Sequence, residues 1–114
     1  MRLTLKKGDI VWVNLGEVAA AVGHEQALQR PCIVLKDFVR FQLAIVIPLT
    51  TSSAQSYYTI VKIEKTETGM KDDSNALCHQ LRTISHDRIT GKAGTLSERS
   101  FNKIKGVLID VLEL

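Results

Sequence analysis

The apolar residues of the chain fall into short runs that polar or glycine-containing stretches separate. Runs of this kind that are rich in β-branched and aromatic residues are typical of strands. The pattern predicts six strands, in chain order at residues 10–15, 31–38, 41–49, 57–63, 76–84 and 93–96. Residues 16–30 are predicted to form a loop, and loops of that length in a compact domain are often functional. Residues 64–75 are charged and polar and are predicted to form a solvated loop.

The end of the chain follows a different period. Ser97 is a favourable N-cap residue, and Glu98 suits the positive end of a helix dipole. The apolar residues that then recur at helical spacing are Phe101, Ile104, Val107, Leu108, Val111 and Leu112. An amphipathic helix is therefore predicted over residues 97–112.

The order of the predicted elements limits the fold class. Strands do not alternate with helices, which disfavours a doubly wound parallel sheet. We expect a mainly β (α+β) fold, a small SH3-like antiparallel β-barrel with a C-terminal amphipathic helix. The 114 residues suffice for one domain, spanning residues 1–114, and are too few for two.

Composition adds weaker constraints. The net charge of +3 favours polyanionic partners such as nucleic acid or an acidic peptide. Cys32 and Cys78 both lie in apolar stretches, which indicates buried reduced thiols in a cytosolic protein, and no Cys/His spacing indicates zinc. No segment has the composition of a signal peptide or of a membrane span, so we expect a soluble cytoplasmic protein.

Four segments carry a resemblance to a known family. They are KKGDIVWVNL (residues 6–15), GHEQALQRPCIVL (23–35), IVIPLTTS (45–52) and ALCHQLRTI (76–84). In this order they resemble the MazF/PemK/Kid toxins, and the combination of GHEQ and Arg-Pro with QLRT is the specific part. The final helix, which ends in VLEL, falls where the family's last helix falls, so the resemblance covers nearly the whole chain.

The resemblance implies a sequence-specific endoribonuclease toxin that cleaves single-stranded RNA without a metal or other cofactor and so inhibits translation and growth. It also implies a homodimer and an acidic antitoxin as partner, which suits the positive net charge. The candidate catalytic residues are Arg30, Thr50, His79 and His24. The candidate substrate-binding residues are Glu25, Gln26, Thr51, Ser52, Gln80 and Arg82.

Metal-independent cleavage of RNA uses the 2′-hydroxyl of the substrate, which attacks the adjacent phosphorus and leaves a 2′,3′-cyclic phosphate and a 5′-hydroxyl. The site must supply a base, an acid and a cation for the charged phosphorane. Arg30 suits the cationic role because its guanidinium binds phosphate oxygens in a bidentate manner and stays protonated. Thr50 can donate its hydroxyl to a phosphate oxygen.

Two histidines are the candidates for proton transfer. Imidazole titrates near neutral pH, which favours His24 and His79 as acid and base, with Glu25 as the next candidate base. His79 departs from the family, since many members have an acidic residue at that position. We expect His79 to replace that residue as a base or as a contact to a base edge, or else to mark lost activity.

Several plainer interpretations stay open. Thr50 lies in a Thr-Thr-Ser-Ser turn, where hydroxyls commonly cap backbone groups. The alternative for Arg82 is a purely structural role, in an ion pair with Asp73 or Asp87. His86 is expected to be an ordinary surface residue. The alternative functions are a CcdB-like toxin that targets gyrase and a non-catalytic SH3-like binding module. The first is disfavoured because the chain ends in DVLEL and its single tryptophan is Trp12.

Overall fold

The structure follows the predicted order of strands and a terminal helix. It is a computed structural model and describes residues 4–15, 29–52 and 57–114. Within those ranges the strands are β1 (Asp9–Asn14), β2 (Gln29–Phe38), β3 (Leu43–Thr50), β4 (Ile60–Ile63), β5 (Ser74–Leu77), β6 (Arg82–Ser85) and β7 (Ile89–Thr95), and the helix is α1 (Glu98–Leu112). None of the helices in these ranges is long and apolar enough to cross a membrane.

All strand pairs are antiparallel, in the order β4-β5-β3-β2-β1-β7, and β6 also pairs with β3. The predicted mainly β class with a C-terminal helix is confirmed. Between the described strands, pairing does not join β4 to β7, so the barrel-like sheet is not closed. β3 is its central strand because β2 follows one edge while β5 and β6 share the other.

The sheet buries apolar side chains on both faces. The side chains of successive cross-strand pairs of β2 and β3 point to opposite faces of the sheet. Ile33 and Ile47 therefore lie on one face, while Val34 and Val46 lie on the other. The first cluster, which α1 covers, consists of Ile10, Ile33, Ile47, Leu49, Val61, Ile63, Ala76, Cys78, Leu96, Phe101 and Ile104. The second consists of Val11, Val13, Cys32, Val34, Ala44, Val46 and Ile84. The predicted buried thiols are confirmed, since both cysteines are unpaired and fully buried.

The single strand predicted over residues 76–84 is wrong in its middle. The chain forms β5, then a 3₁₀ turn at Cys78–Gln80, then β6. Both strands run along β3, but Leu49 pairs with Ala76 and Val46 with Arg82. The pairing register along β3 therefore shifts by three residues between β5 and β6. The 3₁₀ turn between them contains the same number of residues. Apolar residues continue on both sides of the turn, at Leu77, Cys78 and Leu81, and no Gly or Pro marks it, so the segment was predicted as one strand.

β1, β2 and β3 differ from the prediction by one or two residues at their ends, and β4 and β7 differ more. The predicted strand 57–63 is ordered as β4 only from Ile60, whereas β7 begins at Ile89 and is longer than the predicted 93–96. β7 is an edge strand with mostly exposed or half-exposed residues. Its backbone pairing with β1 holds it in place, so it lacks the apolar pattern from which strands are predicted.

The predicted helix is confirmed, together with its cap. The Ser97 hydroxyl accepts a hydrogen bond from the Ser100 N–H at 3.1 Å. Ser97 and Ser100 also donate their hydroxyls to the Glu67 carboxylate, Ser100 at 3.0 Å. These bonds hold the pKa of Glu67 below its ordinary value. The start of α1 is thereby tied to the segment that leads into the cleft described next.

Candidate functional site

A cleft of about 540 Å³ lies at the end of the sheet where β2 begins and β3 ends. Arg30 and Thr50 both line it. The other lining residues are Trp12, Gln29, Pro31, Leu49, Thr51, Gly69, Met70, Lys71, Asp72 and Ala93. The two residues that the family motifs mark for cleavage thus share one cleft, although 20 positions separate them in the sequence.

The register of β2 and β3 explains why Arg30 and Thr50 meet. Cys32 and Pro48 form the cross-strand pair of β2 and β3 that lies nearest the cleft. Because the strands are antiparallel, two more residues along each bring Arg30 level with Thr50. Pro31 and Pro48 donate no backbone N–H at this end of the pair. Arg30 is exposed and Thr50 is half-buried, so both side chains are accessible from the cleft.

The turn after β3 orients the Thr50 hydroxyl. Its oxygen accepts a hydrogen bond from the Ser52 N–H at 3.2 Å and lies 2.8 Å from the Ser52 hydroxyl oxygen. Asn75 fixes the same turn by donating its side-chain amide to the Ser52 carbonyl at 3.2 Å. When the Ser52 hydroxyl donates to Thr50, both acceptor sites of Thr50 are used and its own O–H is available to a ligand. The capping and ligand-binding interpretations of Thr50 are therefore compatible.

Arg82 is outside the residues that line the cleft but acts electrostatically near it. Arg82 pairs with Val46, so it faces the side of the sheet on which Cys32 lies. Burial raises the pKa of the Cys32 thiol to about 12, and the positive charges of Arg82 and Arg30 oppose that rise. Two guanidinium groups thus contribute positive potential around this end of the second cluster.

The remaining predicted residues divide into three groups by position. Thr51 lines the cleft, and Ser52 orients Thr50. His79 and Gln80 are exposed on the 3₁₀ turn and are not among the residues that line the cleft. The expectation that His79 lies on an alternating strand is wrong, because the register shift places it in that turn. The predicted residues His24, Glu25 and Gln26 lie outside the described residues.

His86 is also not the ordinary surface residue that was expected. Its side chain is only 13% exposed, and its Nε2 lies 2.6 Å from a carboxylate oxygen of Asp37. This pair links the end of β2 to the turn after β6. Since 49 positions separate the two residues, no local pattern could have predicted the contact.

The sequence prediction missed one whole wall of the cleft. Gly69, Met70, Lys71 and Asp72 form it, within a segment predicted only as a solvated loop. Trp12 was assigned to a strand but not to the site. Its alternation with the buried Val11 and Val13 was the available signal, since it shows that Trp12 faces away from them.

The fold and the cleft together define a small mainly β protein in which an arginine and a hydroxyl from adjacent strand ends border one cleft, a combination suited to a phosphate group. A family model described as "PemK-like, MazF-like toxin of type II toxin-antitoxin system" matches residues 6–112. Endoribonuclease EndoA of Bacillus subtilis (strain 168) is 30% identical over 110 residues, covering 93% of this chain and 92% of the relative. The chain belongs to the PemK-like, MazF-like toxin family.

Solved structures agree on the fold. An endoribonuclease from a mycobacterial species, in complex with its cognate antitoxin, aligns with a TM-score of 0.75 at 17% identity over 97% of both chains. MazF (Form-I) from Deinococcus radiodurans aligns with a TM-score of 0.75 at 22% identity, covering 98% of this chain and 99% of that one. At these identities the similarity concerns the fold.

Proposed function

We propose that this toxin-family protein is a metal-independent endoribonuclease that cleaves single-stranded RNA to leave 2′,3′-cyclic phosphate and 5′-hydroxyl ends, and that it thereby inhibits translation. Family membership and the 30% identical endoribonuclease support the enzyme class. The observation that carries the proposal is the shared cleft of Arg30 and Thr50. An arginine and a hydroxyl donor at one position are what the phosphorane of this reaction requires.

In the proposed reaction the 2′-oxygen bonds to the adjacent phosphorus and the bond from phosphorus to the 5′-oxygen breaks. A base takes the proton of the 2′-hydroxyl, and an acid gives a proton to the departing 5′-oxygen. Arg30 neutralises the developing negative charge through paired N–H donors, while Thr50 donates to one phosphate oxygen. A guanidinium has five N–H donors and no acceptor, so the role of Arg30 is electrostatic.

The acid and base remain proposals from sequence. His24 and Glu25 belong to the segment outside the described residues. His79 lies outside the cleft lining, so its participation requires a substrate that extends from the cleft to the 3₁₀ turn. Gln80 and Arg82 are assigned to the same extended path, as contacts to bases or to phosphates further along the strand.

The first prediction concerns a mixed-sequence RNA incubated with the protein in EDTA, beside its all-DNA counterpart. We expect cuts at specific sites in the RNA alone, with cyclic phosphate ends, because the DNA lacks the attacking hydroxyl. Arg30→Ala should slow cleavage by at least about 100-fold, the effect of removing one preorganised charge-stabilising group. Gel electrophoresis measures the cut sites and the cleavage rate, and mass spectrometry identifies the end groups.

Arg40→Ala is the matched control. Arg40 is an exposed arginine in the 3₁₀ turn Val39–Phe41 and is not among the residues that line the cleft, so its removal lowers the charge equally without touching the site. Equal cutting of DNA, a requirement for magnesium, or equal rates for the two variants contradicts the proposal. Binding without cutting by the wild-type protein would indicate the non-catalytic module instead.

Two partners belong to the proposal. A related mycobacterial endoribonuclease was solved with its cognate antitoxin, and MazE–MazF complexes are known from Deinococcus radiodurans. We propose an acidic antitoxin as the partner of this chain, since the chain has a net charge of +3. We also propose a homodimer and a cytoplasmic location, where RNA is available and unpaired thiols persist.

A further inference from the structure

Trp12 is an exposed aromatic residue in a strand whose other central residues are buried. Val11 and Val13 are 2% and 0% exposed, whereas Trp12 is 39% exposed. A tryptophan contributes a large apolar surface, and leaving this much of it in water forgoes stabilisation that burial would give. The part that stays accessible borders the cleft that Arg30 and Thr50 also line.

The neighbours of Trp12 leave open space beside the indole. In the sheet Trp12 lies between Pro31 on β2 and Gly91 on β7. Gly91 has no side chain, and a Cβ atom placed there would meet no atom of the described residues within 4 Å. The indole therefore does not fold over its glycine neighbour. Among the described residues, no side chain of the β7 neighbour therefore covers the indole on this side.

The cleft extends across the end of the sheet. Pairing with Pro31 places Trp12 on the face of Ile33, while alternation places Arg30 on the face of Cys32. A phosphate bound by Arg30 and Thr50 is thus separated by the strand ends from a group that contacts the indole. Adjacent nucleotides of a single strand can fill both positions, the phosphate of one on Arg30 and Thr50 and the base of the next on the indole.

A nucleic-acid strand supplies both kinds of group. Its phosphates suit the arginine and the hydroxyl, and its bases present flat aromatic faces of the kind that proteins bind by stacking on tryptophan. The cleft volume of about 540 Å³ falls within the range of roughly 300–1,000 Å³ that ligand sites commonly have. Met70 also lines the cleft and adds apolar surface to it.

We infer that Trp12 is a base-stacking residue, which binds the base of a nucleotide neighbouring the phosphate held by Arg30 and Thr50. This inference rests on the proposed function, since it specifies how the same cleft binds RNA. Trp12 contributes affinity and sets which nucleotide step lies at the reacting position. It does not contact the reacting atoms.

The chain offers a direct probe because Trp12 is its single tryptophan. The all-DNA counterpart of a cleaved RNA serves as the uncut ligand, beside an abasic strand of the same length. We expect quenching of the tryptophan emission by the base-bearing strand, and little quenching by the abasic strand, whose phosphates are the same. Saturation of the signal gives the dissociation constant.

Three variants separate stacking from fold. Trp12→Leu should weaken binding on the order of 10-fold or more, while Trp12→Phe should retain most of the affinity because phenylalanine still stacks. Phe41→Leu is the control, since Phe41 is 71% exposed and is not among the cleft residues. Binding by the variants is followed by fluorescence anisotropy of labelled strands. If Trp12→Leu fails to fold, two measurements still test the stacking role. They are the quenching of the wild-type tryptophan emission and the affinity of Trp12→Phe for the labelled strand.

The outcomes distinguish the two proposals. RNA cleavage with unchanged tryptophan emission at saturation, or with equal affinity for the Leu and Phe variants, overturns the role of Trp12 and leaves the endoribonuclease intact. Base-dependent quenching without any RNA cleavage supports the stacking role and overturns the enzyme. Absence of both binding and cleavage overturns both.

Discussion

Gly94 allows the backbone of β7 to approach the segment that forms the far wall of the cleft. A Cβ atom at Gly94 would lie 2.5 Å from the Thr68 carbonyl oxygen and 3.2 Å from Cγ of Met70. The same carbonyl accepts a hydrogen bond from the Thr95 N–H at 3.1 Å. Thr68 is buried and is followed at once by the cleft residues 69–72. One glycine thus positions a wall that the sequence motifs do not mark.

Gly94→Ala is expected to destabilise the protein by about 1–3 kcal/mol, because the added methyl group meets a backbone atom that cannot rotate away. Thermal unfolding followed by circular dichroism measures the loss. Gly91→Ala is the matched control in the same strand, since its added Cβ meets no atom within 4 Å in the part of the chain that the structure describes. Equal melting temperatures for the two variants would show that the segment from Thr68 to Met70 yields without cost.

At the scale of elements, the start of α1 and the cleft wall are joined through Glu67. Its carboxylate accepts hydrogen bonds from Ser97 and Ser100, in the first turn of the helix, and it immediately precedes Thr68. The bonds favour the charged carboxylate, which is why the pKa of Glu67 is lowered. Helix and wall therefore depend on one ionised group.

This link gives a pH-dependent stability with a defined sign. The folded-state pKa of Glu67 lies below the unfolded value, so its contribution is complete above the unfolded pKa, ordinarily 4.5, and is lost as the pH falls through the lowered folded pKa. The melting temperature of Glu67→Gln should be lower than that of the wild type near neutral pH. The difference between the two melting temperatures should shrink as the pH falls. Melting temperatures across the acid range measure it.

The control for this comparison is Glu64→Gln. Glu64 is exposed, and its side chain makes no capping hydrogen bond at the turn Lys65–Glu67. The melting temperature of Glu64→Gln should therefore stay close to that of the wild type at every pH. A difference for Glu67→Gln that does not change with pH would contradict the role of the ionised carboxylate.

At the scale of the whole molecule, each face of the sheet contains one buried thiol. Cys78 belongs to the cluster under α1, and Cys32 belongs to the cluster on the opposite face. Burial raises the pKa of Cys78 to about 11 and that of Cys32 to about 12. The thiolate is the reactive form, so both residues should be inert while the sheet stays packed.

Both thiols are expected to react with a thiol-specific reagent such as Ellman's reagent only after denaturation. The variants Cys32→Ala and Cys78→Ala leave one thiol each and report the two faces separately. If the sheet unfolds as a unit, both should become reactive with increasing denaturant in parallel with the loss of circular dichroism. Rapid reaction of either thiol without denaturant would show that the reagent reaches the apolar cluster around that thiol in the folded protein.

Much of the molecule was predictable from local patterns. The helix followed from the spacing of Phe101 and Ile104 after the Ser97 cap, because helical periodicity depends on residues three and four apart. Gly8 and Asp9 in the first motif have local roles as well. Gly8 adopts a φ of +95°, and Asp9 accepts a hydrogen bond from the Lys6 N–H. Arg30 and Thr50 were found through the family resemblance rather than through periodicity.

The local sequence pattern by itself determined the helix and the position of most strands, since those properties depend on near neighbours along the chain. It determined neither the extent of β7 nor the turn between β5 and β6. Only the tertiary structure decided that Arg30 lies level with Thr50, that a three-residue turn moves His79 off the edge of β3, and that Trp12 borders the same cleft. These depend on pairing register between distant strands. A shift in register changes every cross-strand neighbour while leaving the local pattern of each strand unaltered.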